Sequence, residues 1–334
     1  MALNIGIVGL GGIGNNHARC YMDNRYTKVV AVCDIIKERA DKAAEAYGAK
    51  AFYSVQDMLN SGIKLDACSM CTAGKENGGD HYVPTMELLE AGLPVLGEKP
   101  ISNEVDKAKK MVALAKKKNI PYAIDLNHRF TPAALKARQW LDKGRLGNIN
   151  MIDMTMWINN KNDTSPHFHM RALHPHSIDV MRYFCGDIEK VHAFFKKGEG
   201  RKCWSNVQVN MLFKSGVVGH LRGSYDATGP GGPYGLESCE VVGDKAKFML
   251  LDACEKLTYT PRTSFETETY ECLGGMRNFG ETFASRIGAW VNDLRKGTPP
   301  DEIDGKGEDA LRAQMVIEAA IESWDKGTVV TLKY

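Results

Sequence analysis

Three glycines near the start of the chain have the spacing of a turn that binds a dinucleotide. Gly9, Gly11 and Gly14 fill the glycine positions of the pattern G-x-G-x-x-G, after an apolar run at 4–8 and before a helical pattern. The first glycine permits a tight turn, the second lets the backbone approach a pyrophosphate, and the third lets the helix pack on the strand. Free N–H groups at the start of that helix would hold the pyrophosphate. The predicted cofactor-binding residues of this turn are Gly9, Gly11, Gly12, Ile13 and Gly14.

An acidic residue stands where such a site needs one. Asp34 ends a second apolar run at 29–33 and follows Gly14 by twenty residues. A carboxylate at this point accepts hydrogen bonds from the adenosine ribose and repels a 2′-phosphate. The sequence therefore favours NAD over NADP as the cofactor, although Lys37 and Arg39 lie close enough to weaken this preference. A glycine turn without a ligand is the weaker alternative, because the strand, the glycines, the helix and the acid all agree.

The elements that would position this site alternate between strand and helix. Further short apolar runs lie at 66–71, 94–96 and 121–124. The clearest helical pattern between them covers 103–118, and Ser102 or Asn103 is its expected N-cap. This alternation predicts βαβ units and, through right-handed crossovers, a doubly wound parallel sheet. We assign residues 1–125 to this Rossmann domain.

The pattern changes after about residue 126. Extended runs are expected at 149–158, 188–196, 206–213, 217–225, 238–251 and 256–260. Helices are expected at 130–142, 172–185, 277–295 and 306–325, and the glycine-rich segment 229–235 is interpreted as a loop. Runs that alternate apolar with polar residues and follow one another closely favour antiparallel pairing. The predicted fold class is therefore α/β, with a second, α+β domain over 126–334 built on a large, mostly antiparallel open sheet.

Composition excludes several classes of protein. With 43 basic and 41 acidic residues the formal charge is +2, and there is no basic arm of the kind that binds nucleic acid. No apolar stretch is long enough to cross a bilayer and no leader pattern opens the sequence, so we expect a cytoplasmic protein with neither a membrane nor a nucleic-acid partner. The nine cysteines are irregularly spaced, which favours reduced thiols. Cys68 and Cys71 fall in a predicted strand and are interpreted as structural.

Several further motifs together resemble the Gfo/Idh/MocA family. Glu98-Lys99-Pro100 follows the fourth apolar run, and the segment 174–186 contains His176 and Asp179 three residues apart. The segments 127–130 and 305–323 also match the family, so the resemblance covers nearly the whole chain. It implies hydride transfer between a nicotinamide ring and a secondary alcohol carbon, usually on a sugar or cyclitol. It also implies a second domain whose sheet forms contacts in a homo-oligomer, a dimer or a tetramer.

The resemblance makes Lys99 a catalytic residue and places Glu98, Thr72 and His81 with it on the cofactor side of the site. Glu98 and Lys99 follow a strand at the carboxyl edge of the sheet, where α/β proteins bind ligands. An ammonium group stabilises the alkoxide that develops as hydride leaves, and an unprotonated lysine could itself accept the proton. A surface lysine on a loop is the alternative interpretation.

The resemblance makes His176 the second catalytic residue, a proton acceptor or relay, and Asp179 would orient it or balance its charge. Many family members carry an aspartate four residues before this histidine, and here that position is Ala172. This difference puts the usual lysine–aspartate–histidine triad in doubt. Either His174 or Arg171 replaces part of the missing function, or Lys99 acts with His176 alone.

The remaining candidates are polar residues of the second domain. Asn127, Arg129 and the loop 159–171 are expected to shape a substrate pocket, and Trp157 would either stack on a sugar ring or belong to the core. His167 and His169 are expected on a loop before the helix, in contact with sugar hydroxyls or with solvent. We predict no metal site here, because this histidine-rich run includes no cysteine or acidic ligand. The predicted substrate-binding residues are Asn127, Arg129, Trp157, His169, Arg171, His174 and Asp179.

Three functions are compatible with these residues. The leading hypothesis is an NAD-dependent dehydrogenase that acts on a ring hydroxyl of a sugar, a sugar derivative or a cyclitol. The second is a redox-neutral enzyme that oxidises a sugar transiently, eliminates a glycosidic substituent and returns the hydride. The third is a dinucleotide-responsive binding or regulatory protein, which the presence of Lys99 and His176 argues against.

Overall fold

The chain divides into two units, each made of two stretches of chain. The computed structural model describes residues 2–227, 237–252, 255–276 and 280–334. The first unit contains Met1–Asp125 and Phe283–Leu311, and the second contains Leu126–Thr282 and Arg312–Tyr334. The expected boundary at 125/126 coincides with this division. Residues 283–311, which the sequence analysis placed in the second domain, lie in the first unit.

The first unit is built on a parallel sheet of six strands in the order β3-β2-β1-β4-β5-β6. The strands are β1 (Leu3–Val8), β2 (Thr27–Cys33), β3 (Lys50–Phe52), β4 (Ala67–Met70), β5 (Val95–Gly97) and β6 (Tyr122–Ile124). The strand order reverses between β1 and β4, which is where open parallel sheets bind ligands at their carboxyl edge. The predicted doubly wound Rossmann sheet is confirmed.

Six helices belong wholly or mainly to this unit: α1 (Gly12–Asp23), α2 (Lys37–Tyr47), α3 (Val55–Asn60), α4 (Tyr82–Glu90), α5 (Val105–Lys118) and α8 (Gly280–Lys296). The expected N-cap of α5 is wrong: the helix begins after Glu104, whose N–H donates to Ser102 Oγ, so Ser102 closes the turn before the helix. The side chains of Ile287, Trp290 and Val291 on α8 join the same buried cluster as those of β1. This packing explains why 283–311 returns to the first unit.

The second unit is built on a sheet of nine strands in the order β14-β13-β12-β11-β7-β10-β9-β8-β15. These are β7 (Ile149–Trp157), β8 (Ile188–Lys196), β9 (Asn206–Phe213), β10 (Val218–Ser224), β11 (Glu237–Gly243), β12 (Ala246–Leu251), β13 (Lys256–Pro261), β14 (Glu268–Glu271) and β15 (Val330–Thr331). All neighbouring strands are antiparallel except β7 and β10. The predicted, mostly antiparallel sheet is confirmed. The single run expected at 238–251 is wrong, because a hairpin at 244–245 divides it.

The helices α6 (Pro132–Asp142), α7 (Phe168–Cys185) and α9 (Gly307–Lys326) complete the description. Helix α7 begins four residues before the expected start, so His169 lies within the helix and the expectation of a loop position is wrong. His167 occupies the N-cap position of α7. The glycine-rich segment 229–235 lies outside the described residues. None of the helices in the described residues is both long enough and apolar enough to cross a membrane.

Candidate active site

The turn between β1 and α1 has the steric properties of a phosphate-binding turn. Gly9 has φ +87°, and a Cβ there would lie 2.6 Å from the backbone N of Thr72. A Cβ at Gly14 would lie 1.8 Å from the carbonyl oxygen of Gly9. Gly9 is therefore required by its positive φ and by the close approach of the chain after β4, and Gly14 by the packing of α1 against the turn, as their positions in the motif predicted.

The start of α1 leaves room for a ligand. A Cβ added at Gly11 or Gly12 would meet no heavy atom of the described residues within 4 Å. Gly11 is the N-cap, the first turn of α1 contains no acidic side chain, and Ile13 in that turn is exposed. The N–H groups of a helix start attract an anion when no side chain caps them. The residues present therefore fit a bound pyrophosphate.

Asp34 is fixed beside this turn by two backbone groups. Its Oδ2 accepts a hydrogen bond from the N–H of Leu10 at 2.7 Å, and its Oδ1 accepts one from the N–H of Ile36 at 2.8 Å. Each carboxylate oxygen can accept a second hydrogen bond. This geometry fits the ribose hydroxyls of a dinucleotide bound at the turn. Lys37 and Arg39 are exposed on the first turn of α2.

The segment Glu98-Lys99-Pro100 follows β5 directly, and two neighbouring loops hold it in place. The backbone N–H of Lys99 donates to Glu98 Oε2 at 3.2 Å. His81, at the start of α4, lies 2.7 Å from the carbonyl oxygen of Pro100 through Nδ1 and 2.9 Å from that of Thr72 through Nε2. The Thr72 hydroxyl donates to the carbonyl oxygen of Asp80 at 2.8 Å. The structure therefore brings the four predicted residues of this edge together in the first unit.

A histidine that the sequence analysis did not assign lies behind Glu98. His17 on α1 is fully buried, and its Nε2 lies 3.0 Å from Glu98 Oε1 and 3.1 Å from Asp125 Oδ2. Its Nδ1 lies 2.7 Å from Ser69 Oγ, at the end of β4. The three side chains of His17, Glu98 and Asp125, here called the buried triad, join α1 to the carboxyl ends of β5 and β6. The available signal was positional, since Asp34, Glu98 and Asp125 are each the first residue after a strand.

The electrostatics of the buried triad favour a protonated imidazole. Burial lowers the pKa of His17, but the interaction with Cys71 and the hydrogen bonds with Asp125 and Glu98 raise it, and the net pKa lies well above the usual value. Burial raises the pKa of Asp125. Burial also opposes ionisation of Glu98, but the hydrogen bond and charge of His17, together with the charge of Lys99, lower the net pKa of that carboxyl. The ligand atoms of the triad lie within 4.8 Å of one another, as in a metal site. Both carboxylates already lie within hydrogen-bonding distance of His17 Nε2, and we interpret the triad as a hydrogen-bonded charge cluster.

In the second unit two predicted site residues form one buried ion pair. The Arg129 guanidinium donates through Nε to Asp179 Oδ2 at 2.8 Å and through Nη2 to Oδ1. Both side chains are buried. Such a two-pronged pair fixes the turn at 127–130 against α7. Asn127 is also buried, and its Nδ2 donates to Thr282 Oγ1 at 2.7 Å.

His176 is buried on α7 beneath a second histidine. The ring of His128 lies over that of His176 with centroids 4.4 Å apart and planes 34° apart. His128 Nδ1 lies 2.7 Å from Glu237 Oε1, at the start of β11. His128 was part of a recognised segment but received no role, and Glu237 carries no sequence signal that would have identified it.

His169 and His174 form a hydrogen-bonded chain in the core. His169 Nδ1 faces the carbonyl oxygen of Trp204 at 3.2 Å, His169 Nε2 lies 3.1 Å from His174 Nε2, and His174 Nδ1 lies 3.0 Å from Ser177 Oγ. Burial lowers the pKa of His169 to about 3, and burial together with His169 lowers that of His174 well below its usual value. Both rings are fully buried and neutral, so they reach no solvent directly.

The last two predicted residues are less deeply buried. Arg171 donates through Nε and Nη2 to the two carboxylate oxygens of Glu318, each at 2.8 Å. Trp157 is half-buried at the end of β7, and the Arg222 guanidinium lies 5.9 Å from the centre of its ring system. Ala172 packs against the hydrophobic core of the second unit. The guanidinium of Arg171 is therefore already paired with a carboxylate.

The fold and the β1–α1 turn define a dinucleotide-binding α/β protein, and the comparisons with known proteins agree. Residues 3–126 match the model described as an oxidoreductase family with an NAD-binding Rossmann fold, and residues 134–249 match the Gfo/Idh/MocA C-terminal domain. The chain belongs to the Gfo/Idh/MocA family of oxidoreductases. The resemblance inferred from the sequence is confirmed.

Individual relatives are distant but mostly of full length. The chain is 23% identical to inositol 2-dehydrogenase of Rhizobium meliloti (strain 1021), over 97% of each protein. It is 31% identical to D-glucoside 3-dehydrogenase of Escherichia coli (strain K12), over 44% of this chain and 41% of that protein. The structure of levoglucosan dehydrogenase in complex with NADH and levoglucosan matches all of both chains, with a TM-score of 0.87 and 18% identity. This last likeness establishes the fold.

Proposed function

We propose that the protein is an NAD-dependent dehydrogenase that oxidises a ring hydroxyl of a sugar, a sugar derivative or a cyclitol. The observation that carries the proposal is the position of Lys99. It is half-buried at the carboxyl end of β5, directly after a glutamate that the buried triad fixes. A structural loop would gain little from a buried, charged support of this kind, whereas a proton-transfer group needs a fixed position.

The proposed reaction divides between a hydride and a proton. Bound NAD supplies the hydride acceptor. The Lys99 side chain stabilises the alkoxide that develops on the substrate oxygen and takes up the proton that this oxygen loses. His176 serves as the second proton group. Asn127 and the ion pair of Arg129 with Asp179 support the substrate side through their buried contacts.

Asp34 supports NAD rather than NADP as the cofactor. Its two hydrogen bonds to backbone N–H groups fix the carboxylate, so it cannot turn away from a 2′-phosphate. The basic side chains of Lys37 and Arg39 are exposed, which leaves Asp34 as the charged group held at this position.

Names of relatives support the substrate class. Inositol 2-dehydrogenase, D-glucoside 3-dehydrogenase and levoglucosan dehydrogenase are each named for a polyhydroxylated ring. The half-buried indole of Trp157 suits the apolar face of such a ring. We leave His169 and His174 out of the proposed pocket because both are fully buried.

The first test measures NADH formation at 340 nm with a panel of sugars and cyclitols, with NADP in parallel. We expect turnover with one group of compounds and a loss of about 10²- to 10⁴-fold in kcat for Lys99→Ala, the range for removal of a general acid or base. Lys109→Ala is the matched control, since Lys109 is exposed on α5. Tight NAD binding without NADH from any compound would exclude the dehydrogenase and leave two candidates, a glycoside-cleaving enzyme and a sensor.

Ala172 supports one further candidate function. With no carboxyl at this position, net oxidation has one proton group fewer, which suits a reaction that returns the hydride to the substrate. A chromogenic glycoside would then be cleaved without net NADH. Cleavage of this kind, lost in Lys99→Ala, would replace net oxidation as the assigned reaction.

A further inference from the structure

The side chains expected to compensate for Ala172 already have other partners. Arg171 is paired with Glu318, and His174 is a neutral ring buried against His169. Asp179, the carboxylate on this stretch of α7, forms an ion pair with Arg129. Arg171, His174 and Asp179 therefore each have a partner already, and none of them replaces the missing aspartate.

A different carboxylate reaches His176 through an intermediate ring. Glu237 Oε1 lies 2.7 Å from Nδ1 of His128. The ring of His128 also contacts the ring of His176, with the centroids 4.4 Å apart and the planes tilted by 34°. His128 and His176 are both 4% exposed, and the Glu237 side chain is 16% exposed. A cavity of about 10 Å³ is lined by His128, Val180, Glu237, Cys239 and Leu250. The ring of His128 therefore contacts Glu237 on β11 and His176 on α7.

The structure assigns His128 and Glu237 as positioning residues that hold His176 in place of the aspartate absent at position 172. This inference rests on the proposed function, because it gives His176 its role in proton transfer. Glu237 accepts a hydrogen bond from His128 Nδ1, which fixes the plane of the His128 ring. The fixed ring then restricts the orientation of the His176 ring through their tilted contact. Through the ring of His128, Glu237 thus supplies one part of what a directly bonded carboxylate supplies, the orientation of the imidazole.

The kinetic test compares Glu237→Gln, His128→Phe and the double variant with wild type. Glutamine at position 237 retains an oxygen acceptor but no charge. Phenylalanine at position 128 retains a ring in contact with His176 but cannot donate a hydrogen bond to Glu237. We expect kcat to fall about 10- to 100-fold in each single variant, as for other supports of a functional histidine, with KM changed less than about threefold. The double variant should lose no more than the worse single variant, because both act through one ring. Losses that multiply would overturn the inference.

Two controls separate positioning from stability. Glu240→Gln changes the same strand and removes only the partner of Lys247, so its kcat should equal that of wild type. Thermal melts of Glu237→Gln should remain close to those of wild type. Glu237→Asp, which keeps the charge on a shorter chain, should recover part of the lost kcat, and no recovery would count against a positioning role.

The contact between His128 and His176 can also be examined by a measurement that does not depend on catalytic turnover. In protein labelled with ¹³C-histidine, the resonance of His176 is identified among nine histidines by its absence in His176→Gln. It should move in Glu237→Gln and stay in place in Glu240→Gln. A wild type that reduces NAD while Glu237→Gln matches it in kcat and in this resonance overturns the inference alone. A wild type inactive with every compound overturns the proposed function, and the inference with it, whatever the resonance does.

Discussion

At the scale of single residues, His17 is notable because its interior surroundings favour the charged form of the imidazole. His17 has no exposed surface, yet two carboxylates lie within hydrogen-bonding distance of one of its nitrogens. Burying an ion is costly unless partners compensate, and removing one partner leaves the others uncompensated. Arg286 adds a further positive charge near Asp125. The cluster is therefore close to neutral as a whole, which makes its burial physically reasonable.

The charge of His17 predicts how stability depends on pH. Its pKa in the folded chain lies well above the unfolded value of about 6.5. The stabilisation is therefore complete below about pH 6.5 and is lost as the pH rises through the folded-state pKa. Thermal melts of wild type between pH 6 and 9 should show Tm falling with pH, and His17→Gln should have a lower Tm with a weaker fall.

The matched control is His220→Gln, which removes a histidine bonded to Asn210 on the sheet of the second unit. Its melts should follow the wild-type dependence on pH. If His17→Gln and wild type lose Tm in parallel over the whole range, the imidazole is neutral in the folded chain and the charge assignment is wrong.

At the scale of elements, the β1–α1 turn contains two kinds of glycine. Gly14 is required by the fold, whereas Gly11 is required only by a bound ligand. Gly14→Ala would place a methyl group 1.8 Å from the Gly9 carbonyl oxygen, so α1 must shift and both Tm and NAD affinity should fall. Gly11→Ala meets open space at a φ of −71°, so its Tm should match wild type while NAD affinity falls at least about tenfold. Melts and NAD titrations on both variants test this; unchanged NAD binding in Gly11→Ala would place the pyrophosphate elsewhere.

The elements also show what the sequence could predict. Strong patterns gave the parallel sheet, the antiparallel sheet and most helices, because each periodic run is long enough to bury one face. Strands β3, β14 and β15, of three, four and two residues, were missed because so short a run has no detectable period. The hairpin at 244–245 was missed because apolar alternation continues on both sides of it.

The residues of the site likewise divide into those that the sequence could predict and those that it could not. The glycines and Asp34 could be predicted because a local turn dictates them, and Glu98 and Lys99 through a family motif. His17 with Asp125, and His128 with Glu237, meet across more than 100 residues of chain. Such pairs depend on tertiary packing, to which a single sequence gives no direct access.

At the scale of the molecule, the first unit is made from two separate stretches of chain. Trp290 has no exposed surface, and Arg286 donates through Nε to the carbonyl oxygen of Ile124 in β6. Residues 1–125 alone should therefore fail to melt cooperatively, because α8 is missing from the core. The same residues joined to 283–311 by a glycine–serine linker should fold and bind NAD. Circular dichroism and NAD titration of both fragments test this; a cooperative, NAD-binding 1–125 fragment would contradict it.

The same division sets a timetable for synthesis. A ribosome adds about 5–20 residues per second, so roughly 10 to 30 seconds pass between the completion of β6 and the appearance of α8. During that time the nascent dinucleotide-binding sheet has an uncovered apolar surface, and the second unit also waits, for residues 312–334. Neither unit can finish before the other is nearly made. The folding of the two units is therefore interleaved in time. We expect the newly made chain to depend on holding chaperones more strongly than a chain whose two domains follow one another in sequence.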